Sequence, residues 1–331
     1  MATPGIALVG CGSAAPDVVL DNDTLGQLVE TSDEWIASRT GIRRRHVAPP
    51  AQSLVELATE ASNRAIEMAG IDPEQIDLVV LATSTADDLF GSAASIQSAV
   101  GAKQAVAFDL TAACSGFLFG LVTVSQYLQT GTFENALLVG ADLMSRWVDW
   151  DDRRTCVLFG DGAGAVVVKA SDTSPGLLGF DMHSNGDRNS CLTLRYEPND
   201  RPLVGGVTAS RGGYGFLHMA GKDVYKFAVT RVPETIEKSL FRAGMTADDL
   251  DWLLLHQANQ RIVDAVAKRL KIPSERTLVN LNEYGNTSAA SIPLALDEAV
   301  RSGQVQAGQT IAASGFGAGL SWGSAIFRWG A

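Results

Sequence analysis

The sequence predicts an α/β protein built from two related halves, each a sheet covered by helices. Three observations carry this. Strand-like apolar runs alternate with helix-like runs along the chain. The segment Ala69 to Leu81 has a counterpart from Ala243 to Leu255, both reading as helix end, glycine stop, short acidic turn and buried strand. Nearly the same offset holds further on: the junction around Cys114 falls opposite Gly285-Asn286-Thr287-Ser288, and Gly131 falls opposite Gly303.

That period is too long for a solenoid, so the repeat reads as two units. They cover residues 1–172 and 173–331, joined at Ser171-Asp172-Thr173-Ser174-Pro175-Gly176. A mostly parallel sheet is expected in each half. Ligands of such sheets bind at the carboxyl ends of the strands.

The chain of 331 residues is 46% hydrophobic and 19% charged, enough to bury a large core, and no stretch reads as low in complexity. A net charge of −11 argues against a general nucleic-acid binder. The four cysteines, Cys11, Cys114, Cys156 and Cys191, have no metal-binding spacing and read as reduced thiols. The N-terminus lacks a signal-peptide pattern, and no apolar run is long enough to span a bilayer. The expectation is a soluble cytoplasmic protein without membrane or nucleic-acid partners.

Two glycine runs imitate phosphate-binding loops. Ile6 to Ser13 begins like a dinucleotide turn, but Pro16 arrives where a helix should be established, and Val18-Val19-Leu20 is strand-like. Phe159 to Gly164 leads into the strand-like Ala165 to Val168 rather than a helix. Both are expected to be tight turns that let backbones approach. With no Walker lysine either, no nucleotide cofactor is expected.

Cys114 stands between a strand-like run ending near Leu110 and an apolar helix-like run from Phe117 to Leu128. The free N–H groups and positive dipole end at a helix start favour thiolate, which suits a nucleophile. His256 ends the buried run Leu253-Leu254-Leu255, and Asn286 lies in Gly285-Asn286-Thr287-Ser288, each at an expected strand-to-helix junction. Alone, a core histidine and a turn asparagine are the ordinary readings of those two residues. Together they form a pair of uncharged donors able to hold an oxyanion or enolate oxygen. The run Gly315 to Gly323 offers backbone N–H groups for a second oxyanion site.

On these motifs, with Thr31-Ser32-Asp33-Glu34-Trp35-Ile36 and Arg39-Thr40-Gly41-Ile42, the sequence resembles the β-ketoacyl-acyl carrier protein synthase III family of the thiolase superfamily, nearly end to end. The resemblance implies a thiolase-like fold of duplicated βαβαβαβ halves in five α-β-α-β-α layers. It implies that Cys114 takes an acyl group from acyl-CoA, the expected primer being acetyl-CoA. Malonyl-acyl carrier protein then loses CO2 while His256 and Asn286 hold its enolate. Cofactors and metals are not required, CoA entering only as the substrate thioester. The resemblance places Trp35, Arg39, Arg153, Phe90, Gly221 and Asn259 along the CoA and acyl path, and the backbone of Cys114 and Ala318 at the oxyanion. Phe90 matches the position where one subunit closes the other's acyl pocket, implying a homodimer.

An acidic carrier protein needs a local basic face on an acidic enzyme. Arg261, Lys268, Arg269 and Lys271 follow His256 on one amphipathic segment and are expected to supply it. Ala318 and Lys222 depart from the family pattern. Ala318 restricts φ where glycine is usual, and Lys222 changes a CoA contact. Three other readings compete: a secondary-metabolite acyltransferase or ketosynthase, a cysteine thioester hydrolase, and a non-catalytic acyl-binding protein.

Overall fold

A computed structural model describes residues 5–172 and 176–330. Part of the expected linker, residues 173–175, lies outside them. Ten strands form two five-stranded sheets. In the first half these are β1 (Gly5–Ala14), β2 (Leu78–Ala82), β3 (Val106–Leu110), β4 (Asn135–Leu143) and β5 (Asp161–Ser171). The second half has β6 (Leu177–Ser184), β7 (Trp252–Leu255), β8 (Thr277–Leu278), β9 (Thr310–Gly317) and β10 (Ser321–Arg328).

The orders β1-β5-β4-β2-β3 and β6-β10-β9-β7-β8 are the same topology written twice. The pairing senses also match. In each sheet the first-strand and last-strand pairings are antiparallel and the other two are parallel. The sheets are therefore mixed, not mostly parallel. The cause is local. No helix crosses over between β4 and β5, and residues 318–320 alone separate β9 from β10, so the last strand of each half turns straight back.

The principal helices also come in matched sets: α1 (Leu54–Ala69), α2 (Ala93–Ala99) and α3 (Gly116–Gln129), then α4 (Gly221–Ala243), α5 (Gln260–Leu270) and α6 (Ser291–Arg301). α1 and α4 both end on glycines in the left-handed region, Gly70 at φ 62° and Gly244 at 67°. That was legible as the repeated glycine stop. α1 and α2 cover the outside of the first sheet, and α4 packs on the outside of the second with α5 against it. α3 and α6 lie between the sheets, where Phe117 and Leu121 of α3 join Ile292 and Leu296 of α6 in one core. The result is the five-layer arrangement. Burying each such side chain contributes roughly 1.5–3 kcal/mol, so this central layer is well held.

Neither glycine run is a turn. Residues 6–13 lie within β1, and residues 161–164 lie within β5. Their glycines serve close packing instead. A Cβ at Gly12 would meet the Ala61 carbonyl of α1 at 2.2 Å, and one at Gly164 would meet the Leu294 amide of α6 at 2.7 Å. The strand expected around Val18 to Leu20 forms at Val19–Asp21.

Candidate active site

After β3 the chain reaches Ala113, a non-glycine residue at φ 48°, and makes a single 3₁₀ turn, Ala113–Ser115, into α3. Cys114 sits in that turn, 7% exposed. The Ser115 hydroxyl donates to the Ser321 carbonyl at the start of β10, fixing this turn to the second half. A matching turn, Ser288–Ala290, opens α6, with Ser288 at φ 52°. The two turns touch: the Ser288 hydroxyl donates to Cys114 Sγ at 3.4 Å.

His256 follows β7 directly, as expected, and is buried. Its Nδ1 lies 2.7 Å from the Ser291 hydroxyl, which also accepts the Gln257 amide at 3.3 Å. Asn286 does not directly follow a strand. The short helix Leu281–Tyr284 intervenes after β8. What holds Asn286 is a bridge to the first half, Asn286 N–H to the Leu158 carbonyl at 2.8 Å and Gly160 N–H to the Asn286 carbonyl at 3.1 Å. Buried Arg45 braces that segment by donating to the Val157 carbonyl. Asn286 Oδ1 accepts the Ser288 amide at 2.9 Å, so its NH2 is left as donor.

Cys114, His256 and Asn286 line one cavity of about 120 Å³, together with Gly221, Asn259 and Phe316. Cys114 also lines a second chamber of about 380 Å³ with Ala318, Gly319 and Ser288. Cys114 thus borders a cavity on each side.

Electrostatics departs from the sequence argument at the thiol. Burial pushes the Cys114 pKa up to about 12, the Ser288 hydrogen bond pulling it back and the buried Asp142 carboxyl adding to the rise. The helix start does not make a resting thiolate, because desolvation outweighs it. Burial alone pushes the His256 pKa down to about 3, leaving a neutral imidazole.

The other expected residues divide by place. The Arg39 and Arg153 guanidinium groups lie over the Trp35 ring at 4.6 and 5.4 Å from its centroid. Asn259 caps α5 through the Arg261 amide and donates to the Arg39 carbonyl, so this cluster adjoins the cavity mouth. Phe90 does not line either Cys114 cavity. It is 98% exposed beside a wider cleft of about 820 Å³ that shares Ser84, Thr85, Thr111 and Leu194 with the larger chamber. Arg261, Lys268 and Arg269 are exposed on α5, whose opposite face buries Ile262, Val266 and Leu270. Arg261 donates to the Ser38 carbonyl and Arg269 to the Thr230 carbonyl, which leaves Lys268 the more open of the three. The φ restriction at Ala318 is accommodated, because the positive φ of this turn falls on Gly319, at 127°.

Three residues that touch the site had no role in the sequence reading: Ser288, Ser291 and Asp142. Ser288 closes the Gly-Asn-Thr-Ser motif and Ser291 follows three residues later, in a stretch where only the asparagine carried an expectation. Asp142 had a visible signal, a lone carboxylate in the wholly buried strand β4.

A doubled unit with its ligand cavity between the halves is the architecture of the thiolase-like condensing enzymes. Two family profiles match the chain: 3-oxoacyl-[acyl-carrier-protein] synthase III over residues 108–186, and the C-terminal part of the same family over residues 240–329. The β-ketoacyl-[acyl-carrier-protein] synthase III of Acaryochloris marina is 62% identical over 329 residues, covering 99% of this chain and 98% of that one. Among solved structures, the 3-oxoacyl-[acyl-carrier-protein] synthase III of Aquifex aeolicus is 39% identical with a TM-score of 0.90, covering 98% of this chain and 100% of that one. The enzyme of Pseudomonas aeruginosa is 42% identical with a TM-score of 0.89, covering 98% of each chain. The chain belongs to the 3-oxoacyl-[acyl-carrier-protein] synthase III family.

Proposed function

We propose that the protein performs the opening condensation of type II fatty-acid synthesis. Acyl-CoA, with acetyl-CoA as primer, and malonyl-acyl carrier protein give 3-oxoacyl-acyl carrier protein, CO2 and CoA. One observation carries the reading: a sulfur from the first half shares a cavity with an imidazole and a carboxamide from the second.

Cys114 sulfur adds to the acyl-CoA carbonyl, CoA leaves, and an acyl thioester remains on the enzyme. The backbone N–H groups of Cys114 and Ala318 hold the oxyanion of this step. Malonyl-acyl carrier protein then occupies the vacated path and loses CO2. Among the described residues the Ser291 hydroxyl has no other acceptor than His256 Nδ1, so its proton is assigned to that nitrogen. Nε2 is then the N–H donor of a neutral ring. Paired with the Asn286 NH2, it holds the thioester oxygen as negative charge develops there. The enolate carbon attacks the acyl-Cys114 carbonyl and expels the sulfur. CO2 leaves neutral and the electron pair of the broken C–C bond stays behind as the enolate, so the chemistry asks for no strong base, metal or cofactor.

Residues 1–172 thus supply the nucleophile and residues 173–331 the donors. Trp35, Arg39 and Arg153 receive the CoA nucleotide by stacking and phosphate pairing, with Gly221 and Asn259 along the arm. Arg261, Lys268 and Arg269 dock the acidic carrier protein. Two copies pair so that the exposed Phe90 of each closes the larger chamber of the other. Substrates of this kind put the reaction in the cytoplasm. The test is incubation with acetyl-CoA and malonyl-acyl carrier protein. Acetoacetyl-acyl carrier protein with matching CO2 release is expected. Free acetate alone would mean a hydrolase, and acyl transfer without CO2 an acyltransferase.

A further inference from the structure

Asn286 is held from outside its own half. His256 follows β7 and bonds to Ser291 within the second half, whereas Asn286 stands after a four-residue helix and Gly285, at φ 64°. What fixes it is the first-half run Val157 to Gly160, which exchanges two backbone hydrogen bonds with it. Behind that run lies Arg45, wholly buried. Its partners are uncharged. Nη2 donates to the Val157 carbonyl and to Asn22 Oδ1, each at 2.9 Å, and Nη1 donates to the Leu20 carbonyl at 3.1 Å. Nε has no partner among the described residues. The stem of Arg45 packs against two glycines. A Cβ at Gly160 would come within 3.0 Å of Arg45 Cβ, and one at Gly285 within 3.4 Å. Asn22 orients the guanidinium, because its own amide donates to Asp33 Oδ1 at 2.9 Å and to the Ile42 carbonyl at 2.8 Å. Burial pushes the Arg45 pKa down to about 10, which leaves a cation at neutral pH.

We propose that Arg45 is a positioning residue for Asn286, a role resting on the reading of Asn286 as a donor to the enolate. A guanidinium buried without a carboxylate beside it is costly, so stability alone does not account for it. What it supplies is a fixed geometry. Its planar fork spans three acceptors at once, one of them the Val157 carbonyl, and so locks the run on which the Asn286 N–H and carbonyl rest. A donor to a developing oxyanion must be held to within about 0.5 Å, and a displacement of about 1 Å costs on the order of 10²-fold in rate. The brace is selective. The Cys114 turn is tied through Ser115 to Ser321, and the His256 ring through Ser291, and Arg45 bonds to neither. The second half-reaction, which uses the Asn286 carboxamide, therefore depends on Arg45, and acylation of Cys114 does not.

The test compares Arg45→Met, which keeps an unbranched stem and removes the donors, with Asn286→Ala and with the double variant. Single-turnover acetylation of Cys114 by acetyl-CoA is followed by intact-protein mass spectrometry, and CO2 release from carboxyl-labelled malonyl-acyl carrier protein is counted on the acetylated enzyme. Arg45→Met is expected to lower CO2 release about tenfold with acetylation within about threefold of native. Asn286→Ala is expected to lower CO2 release by about 10²-fold. The double variant should match Asn286→Ala to within about threefold, because Arg45 acts only through that side chain. A double variant whose loss is the product of the two single losses would make Arg45 a general tie of the fold and overturn the proposal. So would acetylation that falls in step with CO2 release. If Arg45→Met does not fold, Arg45→Lys, which keeps the charge and loses the fork, takes its place with the same expectation. Either of those contrary results leaves the reading of Asn286 standing. Native CO2 release from Asn286→Ala would remove that reading, and the positioning role with it.

Discussion

Two helix-start turns meet in the middle of the molecule, alike in backbone and different in chemistry. Ala113–Ser115 opens α3 and Ser288–Ala290 opens α6. Each begins on a non-glycine residue at positive φ, 48° and 52°, a conformation that costs roughly 1–2 kcal/mol. In the first turn the next residue is the sulfur of Cys114. In the second it is Ala289, and the polar groups lie just before it, at Ser288 and Asn286. Duplication supplied one strained frame twice. On the proposed reading, divergence within that frame put the nucleophile in one copy and the donors in the other, so each half-reaction leans on a different half of the chain.

The sharpest way to break this comparison is to empty the first turn. Cys114→Ala is expected to lower overall condensation by at least about 10³-fold and to leave no acetyl adduct in intact-protein mass spectrometry, while CO2 release from malonyl-acyl carrier protein persists. The next effect belongs to the second turn. Ser291→Ala frees the His256 ring to take the other tautomer. CO2 release is expected to fall by about 10- to 100-fold, with single-turnover acetylation of Cys114 unchanged.

The two halves also differ in acid. His256 binds a proton at about 3 when folded and at 6.5 when exposed. Between those values the unfolded chain holds the extra proton, so stability falls as pH falls, by about 1.4 kcal/mol per unit. Denaturant titrations of His256→Gln should show a shallower acid limb than the native protein over that window. The smallest effect lies outside both turns. Arg153→Ala removes one guanidinium from Trp35 and is expected to raise the KM for acetyl-CoA about tenfold, ~1.4 kcal/mol, with kcat nearly unchanged in steady-state assays.

Much of this was legible in the chain. Gly70, Gly244, Gly131 and Gly303 all adopt positive φ, so the punctuation that revealed the repeat was real helix termination. Cys114 and His256 were legible because each follows an apolar strand. The mixed sheets were not, since a returning strand and a crossover strand have the same apolar composition, and only the missing helix between β4 and β5 separates them. The glycines of β1 and β5 read as turns because sequence shows a lost side chain, not the helix pressed against it. Asp142 was overlooked as one carboxylate in an apolar run, its partners Thr83, Thr85 and Ala289 being far away in sequence.

The division of labour is tested most directly on His256→Ala given acetyl-CoA and carboxyl-labelled malonyl-acyl carrier protein, with Cys114 acetylation and labelled CO2 followed in one sample. The account predicts acetylation within a few-fold of native and CO2 release lower by about 10²- to 10³-fold. Loss of acetylation with CO2 release intact would contradict it.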